Sequence, residues 1–391
     1  MSEKKRKGTP LWQISKKFNF AAEKIIPDSF VFCVVLTLVV AVLSLTVCHI
    51  GPVELLTSWW DGLSSQFTLA FQMGLMVVVC ATCARSPQVS KLLDGLSGLV
   101  HTRVAALILL MAFGYVSSML NWAFCTIVTP ILAMQLAKRV KGLHFPMMVA
   151  GGYCCMILGQ CLGPSATLYS NLATEGSNYA EIVGKTMTVA ETCYNPVNVV
   201  LWVILAVCFI VLVLFTQPGD DELVELRSIA TQADVAPKDY QSREKATTPA
   251  EKMKTCKPIM WVVGAAIFIY IIYSIATKGF FATLNMNMVI FMFVGINCFL
   301  FPQPHSWMEA HTDSMHLATD VILQFPFYGA IMGMMYVEGG LGSVIVNAIV
   351  SVATAQTMPI FSFLSACIVN LFIPSQGGQF TVQGPLIVQA A

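Results

Sequence analysis

The sequence predicts an all-α polytopic membrane protein, and three observations lead to that fold class. Of the 391 residues, 56% are hydrophobic and only 11% are charged, against about 25% charged in soluble domains. The charged residues concentrate in segments 1–28 and 217–257. Elsewhere the chain has long uncharged stretches, and about 20 helical residues suffice to cross a bilayer. This composition excludes a water-soluble enzyme, a nucleic-acid binder and a disordered protein.

The N-terminal segment, residues 1–28, indicates the orientation of the chain. It carries seven Lys and Arg side chains, whereas the connection at 49–67, after a first span at 29–48, carries none. By the positive-inside rule, the N-terminus is cytoplasmic. Residues 11–25 place their apolar side chains on one helical face and predict an interfacial helix before the first span. A second span, at 68–84, returns to the cytoplasmic side.

The uncharged segment 104–137 predicts a re-entrant hairpin. As one helix its 34 residues would be about 51 Å long, and two full crossings would need about 40 residues. Both of its flanks are basic, with Arg103 before it and Lys138 after it. The polar centre, which includes Ser118 and Asn121, is the predicted tip. Two short tilted spans with an external turn are the alternative interpretation.

The remaining spans alternate in direction along the chain. Residues 217–257 form a charged cytoplasmic linker, in which Thr248-Pro249-Ala250-Glu251 is a capping box with proline at the first helical position. A helix is therefore predicted to begin there. The further predicted spans are 145–162, 197–216, 259–276, 286–301 and 321–337, and a last apolar segment runs from 358 to 391.

Two parts of the chain correspond in order and predict an inverted repeat, at 29–216 and 258–391. Phe71-Gln72-Met73-Gly74 precedes Asn121 by about 50 residues, and Gln324-Phe325-Pro326-Phe327 precedes Asn370 by a similar interval. The charge-derived topology gives the two copies opposite orientations. Inverted repeats with broken helices are the architecture of secondary transporters, so a second re-entrant hairpin is expected at about 358–391.

The run from Asn370 to Pro385 is the motif most indicative of a binding site, with three Gly, two Pro and six hydrogen-bonding side chains in sixteen residues. Gly377 and Gly378 predict unwound backbone, whose N–H groups would bind a carboxylate together with the following helix start. A plain helix-packing site, where Gly and Ser allow close approach, is the alternative. The predicted substrate-binding residues are Ser118, Asn121, Gln324, Asn370, Ser375, Gln376, Gly377, Gly378, Gln379 and Gln383.

The sequence leaves the coupling ion open and predicts no cofactor. Asp320 and Glu338 flank a span without lying clearly in mid-membrane, so no buried carboxylate relay is visible. Carbonyl and Asn oxygens could bind Na⁺, or the substrate could carry its own H⁺. Cys80 and Cys83 have metal-type spacing but no second pair accompanies them, so no metal site is expected.

Three runs, Leu323–Gly329, Asn370–Pro385 and Leu120–Phe124, together resemble the bacterial short-chain fatty acid transporter family of the acetoacetate/butyrate permease type. The similarity extends along essentially the whole chain. It implies ion-coupled uptake of short-chain monocarboxylates across the inner membrane and no enzymatic activity. The sequence is also similar to a wider ion-transporter superfamily with paired hairpins, whose better-known members are dimers, so a homodimer is expected.

The sequence departs from the family pattern at Gln376, where members have Gly, and at Gln379, where some have His. The chain ends inside an apolar run, and family members continue with further membrane segments, so a C-terminal truncation is expected.

Two alternative functions remain. A transporter of another anion, such as a C4-dicarboxylate, would share the architecture, but neither predicted hairpin contains the Arg or Lys that a dianion usually recruits. A membrane-embedded enzyme or sensor would need a nucleophile–base pair or a large soluble domain, and the linker is too short to supply one.

Overall fold

The computed structural model describes residues 8–25, 27–163, 166–229, 238–241, 247–352, 354, 356–372 and 376–390. Within these ranges the chain is helical and contains no strand. The first ten helices are α1 (Pro10–Ile25), α2 (Ser29–Thr46), α3 (Pro52–Ser65), α4 (Phe67–Ala84), α5 (Pro87–Ser97), α6 (Arg103–Leu120), α7 (Trp122–Arg139), α8 (Phe145–Gly159), α9 (Thr167–Leu172) and α10 (Asn178–Val183). The next ten are α11 (Pro196–Phe215), α12 (Pro249–Lys254), α13 (Lys257–Lys278), α14 (Phe280–Thr283), α15 (Met286–Leu300), α16 (Pro304–Thr312), α17 (Thr319–Met335), α18 (Leu341–Val352), α19 (Met358–Phe372) and α20 (Gln376–Ala390).

Seven helical segments in the described ranges are long and apolar enough to cross a membrane. The predicted all-α, multi-pass membrane fold is therefore confirmed. These segments are Ser29–Thr46, Pro52–Ala84, Arg103–Leu120, Phe145–Leu162, Pro196–Phe215, Pro249–Lys278 and Met315–Met335.

The chain divides into two compact units. Unit 1 comprises Met1–Glu23, Met76–Ser170 and Thr188–Leu317, and unit 2 comprises Lys24–Leu75, Asn171–Met187 and Ala318–Ala391. Each predicted repeat therefore contributes residues to both units. The division into two inverted repeats stays a prediction.

The core of unit 1 is built around α6, α7 and α8. Leu110 and Met111 of α6, Leu132 of α7 and Cys155 of α8 are fully buried in one apolar cluster, which α11 completes through Val213. Such close packing is what holds the break between α6 and α7 in place.

The connection at 49–67 contains a helix, α3. Pro52 starts it, and it packs along α17 within unit 2. A Cβ on Gly62 would collide with the Gly329 carbonyl oxygen, so the two helices approach backbone to backbone. Buried Gln66 separates α3 from α4.

The segment 104–137 folds as two helices, α6 and α7, with a single break at Asn121. Each helix has 18 residues and is therefore about 27 Å long, slightly less than a hydrocarbon core of about 30 Å. The break falls at the predicted tip. The re-entrant depth of this hairpin, which we call hairpin 1, stays a prediction.

The glycine pair in the last segment does not unwind the backbone, so that prediction is wrong. Helix α20 begins at Gln376, and Gly377 and Gly378 lie in its first turn without the positive φ that unwound glycines often adopt. A Cβ on Gly378 would lie 2.5 Å from Tyr328 Cδ2, so close packing explains this glycine. Ser375 lies outside the described residues. We call α19 and α20 together hairpin 2; its re-entrant depth also stays a prediction.

The capping box in the linker is confirmed. The Thr248 side chain accepts a hydrogen bond from the Glu251 backbone, and the Glu251 carboxylate accepts one from the Thr248 backbone. These bonds hold the pKa of Glu251 at about 2, well below its ordinary 4.5. Helix α12 stops at Lys254, and the span α13 begins as a new helix at Lys257.

Candidate functional site

The tip of hairpin 1 is a buried asparagine in unit 1. Asn121 is fully buried, with the extended backbone (φ −163°, ψ 132°) of a helix N-cap. Its Oδ1 accepts hydrogen bonds from the backbone N–H groups of Ala123 at 2.8 Å and Phe124 at 3.1 Å, and from the Cys80 thiol at 3.3 Å. Its Nδ2 finds no partner among the described residues. The oxygen therefore caps α7, and a role of the amide N–H groups in substrate binding stays a prediction.

A second buried amide of unit 1, Asn297 on α15, was missed by the sequence analysis. Its Nδ2 donates to the Val79 carbonyl at 2.8 Å, next to the Cys80 that contacts Asn121. Its Oδ1 is buried and has no partner in the described part of the chain. A buried polar group without a hydrogen-bond partner lowers the stability of the fold by about 1–3 kcal/mol. An Asn in the middle of an apolar span was the available signal.

Ser118 has a packing role. Its hydroxyl lies 3.0 Å from the carbonyls of both Tyr115 and Cys155, and its side chain fills the space over Gly159. It therefore ties α6 to α8, and its single proton is already engaged.

Hairpin 2, in unit 2, carries a chain of hydrogen bonds that we call the amide ladder: Asn370, Gln379, Gln383 and Ser365. Asn370 Nδ2 donates to Gln379 Oε1 at 2.9 Å, and Gln379 Nε2 donates to Gln383 Oε1 at 3.1 Å. Gln383 Nε2 then donates to Ser365 Oγ at 2.6 Å. Every bond points in the same direction, an arrangement in which neighbours polarise one another.

The ladder links α19 to α20 along much of their length. Gln379 also donates to the Ala366 carbonyl at 2.9 Å, and the Ser365 hydroxyl donates to the Ser362 carbonyl at 2.9 Å. Exposure falls along it, from exposed Asn370 to buried Gln383. Ser365 was missed by the sequence analysis because a Ser in an apolar helix indicates no site until its partner is known.

Tyr179, from the first half of the sequence, holds the first turn of α20. Its buried hydroxyl donates to the Gly377 carbonyl at 2.6 Å and lies 2.9 Å from Thr381 Oγ1. Its ring packs on Phe380 with the centroids 5.0 Å apart. Gln376, at the start of this turn, is half-buried. No local pattern could predict this contact, which joins residues 198 positions apart.

Gln324 lies in unit 2 but is not part of the amide ladder. Its Nε2 donates to Ser29 Oγ at 3.0 Å, and its Oε1 accepts from the Tyr328 hydroxyl at 3.0 Å. It therefore fastens α17 to α2, and Tyr328 in turn supports Gly378. Among the predicted site residues, the structure joins Asn370, Gln379 and Gln383 directly.

The remaining groups place limits on the chemistry. In the described part of the chain, no three His, Cys, Asp or Glu side chains lie together as a metal site would require. Ser118 and Asn121 belong to unit 1 and the other described site residues to unit 2. A single site shared by the two hairpins stays a prediction.

Comparison with known proteins decides the family. The family model for the short chain fatty acid transporter matches residues 11–391. The chain belongs to this family. The resemblance noted from the sequence is thereby confirmed, and the protein is a multi-pass member of a transporter family.

Two curated relatives, each described as "Putative short-chain fatty acid transporter", are similar along almost the whole chain. The one from Escherichia coli K12 is 28% identical over 381 residues, covering 97% of this chain and 84% of the relative. The one from Haemophilus influenzae is 27% identical over 388 residues, covering 97% of this chain and 85% of the relative. No solved structure matches the chain.

Proposed function

We propose that this protein is a secondary transporter that takes up short-chain monocarboxylates of the butyrate and acetoacetate type across the bacterial inner membrane. The N-terminus is then cytoplasmic, as its seven Lys and Arg side chains favour. Family membership and the seven candidate spans support the proposal. In this account the protein moves its substrate unchanged and is not an enzyme.

The amide ladder is the observation that carries the proposal. Asn370, Gln379, Gln383 and Ser365 are all neutral, and no charged residue occurs after Glu338. A neutral hydrogen bond contributes about 0.5–1.5 kcal/mol net, whereas one to a charged group contributes about 1.5–3 kcal/mol. Several neutral donors can hold a monoanion and still release it, as a transport cycle requires. A dianion would call for Arg or Lys.

The test is counterflow in proteoliposomes that contain the purified protein. Vesicles preloaded with unlabelled butyrate are expected to accumulate labelled butyrate, while vesicles preloaded with succinate are not. Protein-free vesicles measure passive diffusion of the acid. Exchange of succinate without exchange of butyrate would replace the proposal with a dicarboxylate transporter.

We extend the proposal to ion coupling, by symport with H⁺ or Na⁺. The neutral ladder and the unpaired Oδ1 of Asn297, which is an acceptor, are compatible with either ion. Imposing a Na⁺ gradient or a pH gradient separately on the same vesicles tells the two apart. Uptake that responds to neither gradient would refute coupling and leave facilitated diffusion.

A homodimer is the assembly that the family resemblance implies. Chemical crosslinking in native membranes is expected to give one band at twice the monomer mass. Only monomer at saturating crosslinker would contradict this part of the proposal.

A further inference from the structure

A cavity of about 240 Å³ lies within unit 2, among α2, α17, α18, α19 and α20. Ser365 and Gln383 are the lining residues with a hydroxyl or amide group, and the last hydrogen bond of the amide ladder joins them. The rest of the wall is hydrocarbon or thioether. Its aliphatic side chains include those of Leu36, Val40, Ile345, Val369, Val382 and Leu386.

We propose that this cavity holds the alkyl chain of the transported acid, with the carboxylate bound by the amide of Gln383. The inference rests on the proposed function and adds to it the part of the site that sets chain length. One N–H of Gln383 is donated to Ser365, and its amide carries a second. A carboxylate at the cavity wall accepts this second N–H.

The size and chemistry of the cavity suit a short, unbranched tail. Pockets for drug-sized ligands measure about 300–1,000 Å³, and this one is smaller. Each methylene that moves from water into hydrocarbon strengthens binding about fourfold. Affinity should therefore rise with each added carbon until the cavity is full.

The same wall rejects a second charge. A dicarboxylate bound at Gln383 would place its other carboxylate against Val369, Val382 and Leu386, which offer no hydrogen bond. Burial of an unpaired charge is strongly unfavourable. The cavity thus gives a physical reason for monocarboxylate selectivity.

The first experiment uses the unmodified protein. Acetate, butyrate, hexanoate and decanoate are compared as inhibitors of labelled butyrate uptake in proteoliposomes. Potency is expected to rise about fourfold per methylene from acetate to butyrate and to be lower for decanoate than for hexanoate. Potency that still rises at decanoate would overturn the inference, since an open groove for lipid tails behaves in that way.

Two variants are expected to change the longest alkyl chain that the cavity holds, in opposite directions. Leu386→Ala enlarges the cavity and is expected to raise the hexanoate-to-acetate potency ratio severalfold, whereas Val369→Phe fills it and lowers that ratio. Leu364→Ala, at an exposed position of α19, is the matched control and leaves the ratio unchanged. Because each ratio is measured within one variant, differences in expression cancel.

The outcomes separate the two proposals. Absence of any monocarboxylate exchange by the unmodified protein refutes the proposed function itself. Butyrate exchange with no maximum in the inhibitor series refutes the alkyl cavity alone, as do unchanged ratios in both active variants.

Discussion

Hairpin 1 and hairpin 2 place their polar groups differently. Hairpin 1 breaks at a single polar residue: Asn121 caps α7 with its oxygen and leaves its buried Nδ2 without a described partner. Hairpin 2 spreads them along two helices, where Asn370, Gln379 and Gln383 satisfy one another in sequence. A substitution at Asn121 should therefore affect that residue's own hydrogen bonds, whereas a substitution in the amide ladder should also affect the other residues of the ladder.

The largest expected effect is at Gly378. The Gly378→Ala variant places a Cβ 2.5 Å from Tyr328 Cδ2, and overpacking of this kind destabilises a site by about 1–3 kcal/mol. The first turn of α20 must shift, and with it the ladder. Butyrate uptake in proteoliposomes is expected to fall about tenfold, which corresponds to about 1.4 kcal/mol.

The matched control for Gly378 is Gly95→Ala in α5, where an added Cβ meets nothing within 4 Å. This variant is expected to transport at the unmodified rate. Normal uptake by Gly378→Ala would show that hairpin 2 tolerates movement and that its packing on Tyr328 does not position the ladder.

Asn121 gives the next effect and tests hairpin 1. Ser is about as good an N-cap as Asn, so Asn121→Ser keeps the cap acceptor but removes Nδ2. Uptake is expected to fall severalfold, as the loss of one hydrogen bond of about 1 kcal/mol predicts, while the melting temperature changes little. Asn121→Ala should lose about 1 kcal/mol of stability as well. If Asn121→Ser transports normally, Asn121 is a helix cap and nothing more.

The smallest expected effect concerns the start of α12, where the charged Glu251 takes part in the cap. The cap at the start of α7, Asn121, is neutral. The folded-state pKa of Glu251 is about 2, below its ordinary 4.5, so its capping contribution is present above about pH 4.5 and is lost as the pH falls towards 2. Hydrogen exchange across Pro249–Lys254, corrected for its intrinsic pH dependence, should lose protection in that window. The first turn of α7 should not respond.

The control is Glu251→Gln, which removes the titration. Protection that falls equally in this variant would assign the pH response to another group.

The spans of this fold could be predicted from sequence, because uncharged length and Lys/Arg placement are local properties. The break at Asn121 and the capping box at Thr248 were predictable for the same reason. What could not be predicted depends on distant contacts: Tyr179 bonds to Gly377, and Gly62 meets Gly329. The helical conformation of Gly378 could not be predicted either, because a glycine is needed there for close packing on Tyr328, which is distant in the sequence.

Three of the four residues of the amide ladder were accessible from sequence. The clustered amides of Asn370, Gln379 and Gln383 indicated a polar site, since such side chains are out of place in an apolar segment. Ser365 and Asn297 were not found, because each lies outside the amide-rich run Asn370–Pro385 that indicated the site. Their roles depend on partners that only the folded chain brings near.

The central claim is that neutral donors of hairpin 2 bind the carboxylate, and butyrate binding to the purified protein tests it most directly. Isothermal titration calorimetry of Gln379→Leu, which cuts the ladder in the middle at nearly constant volume, is compared with Leu364→Ala on the exposed side of α19. We predict that the Kd for butyrate rises about five- to tenfold in Gln379→Leu, as about 1–1.5 kcal/mol of lost hydrogen bonding requires, and stays unchanged in Leu364→Ala. An unchanged Kd in a folded Gln379→Leu protein would contradict the claim.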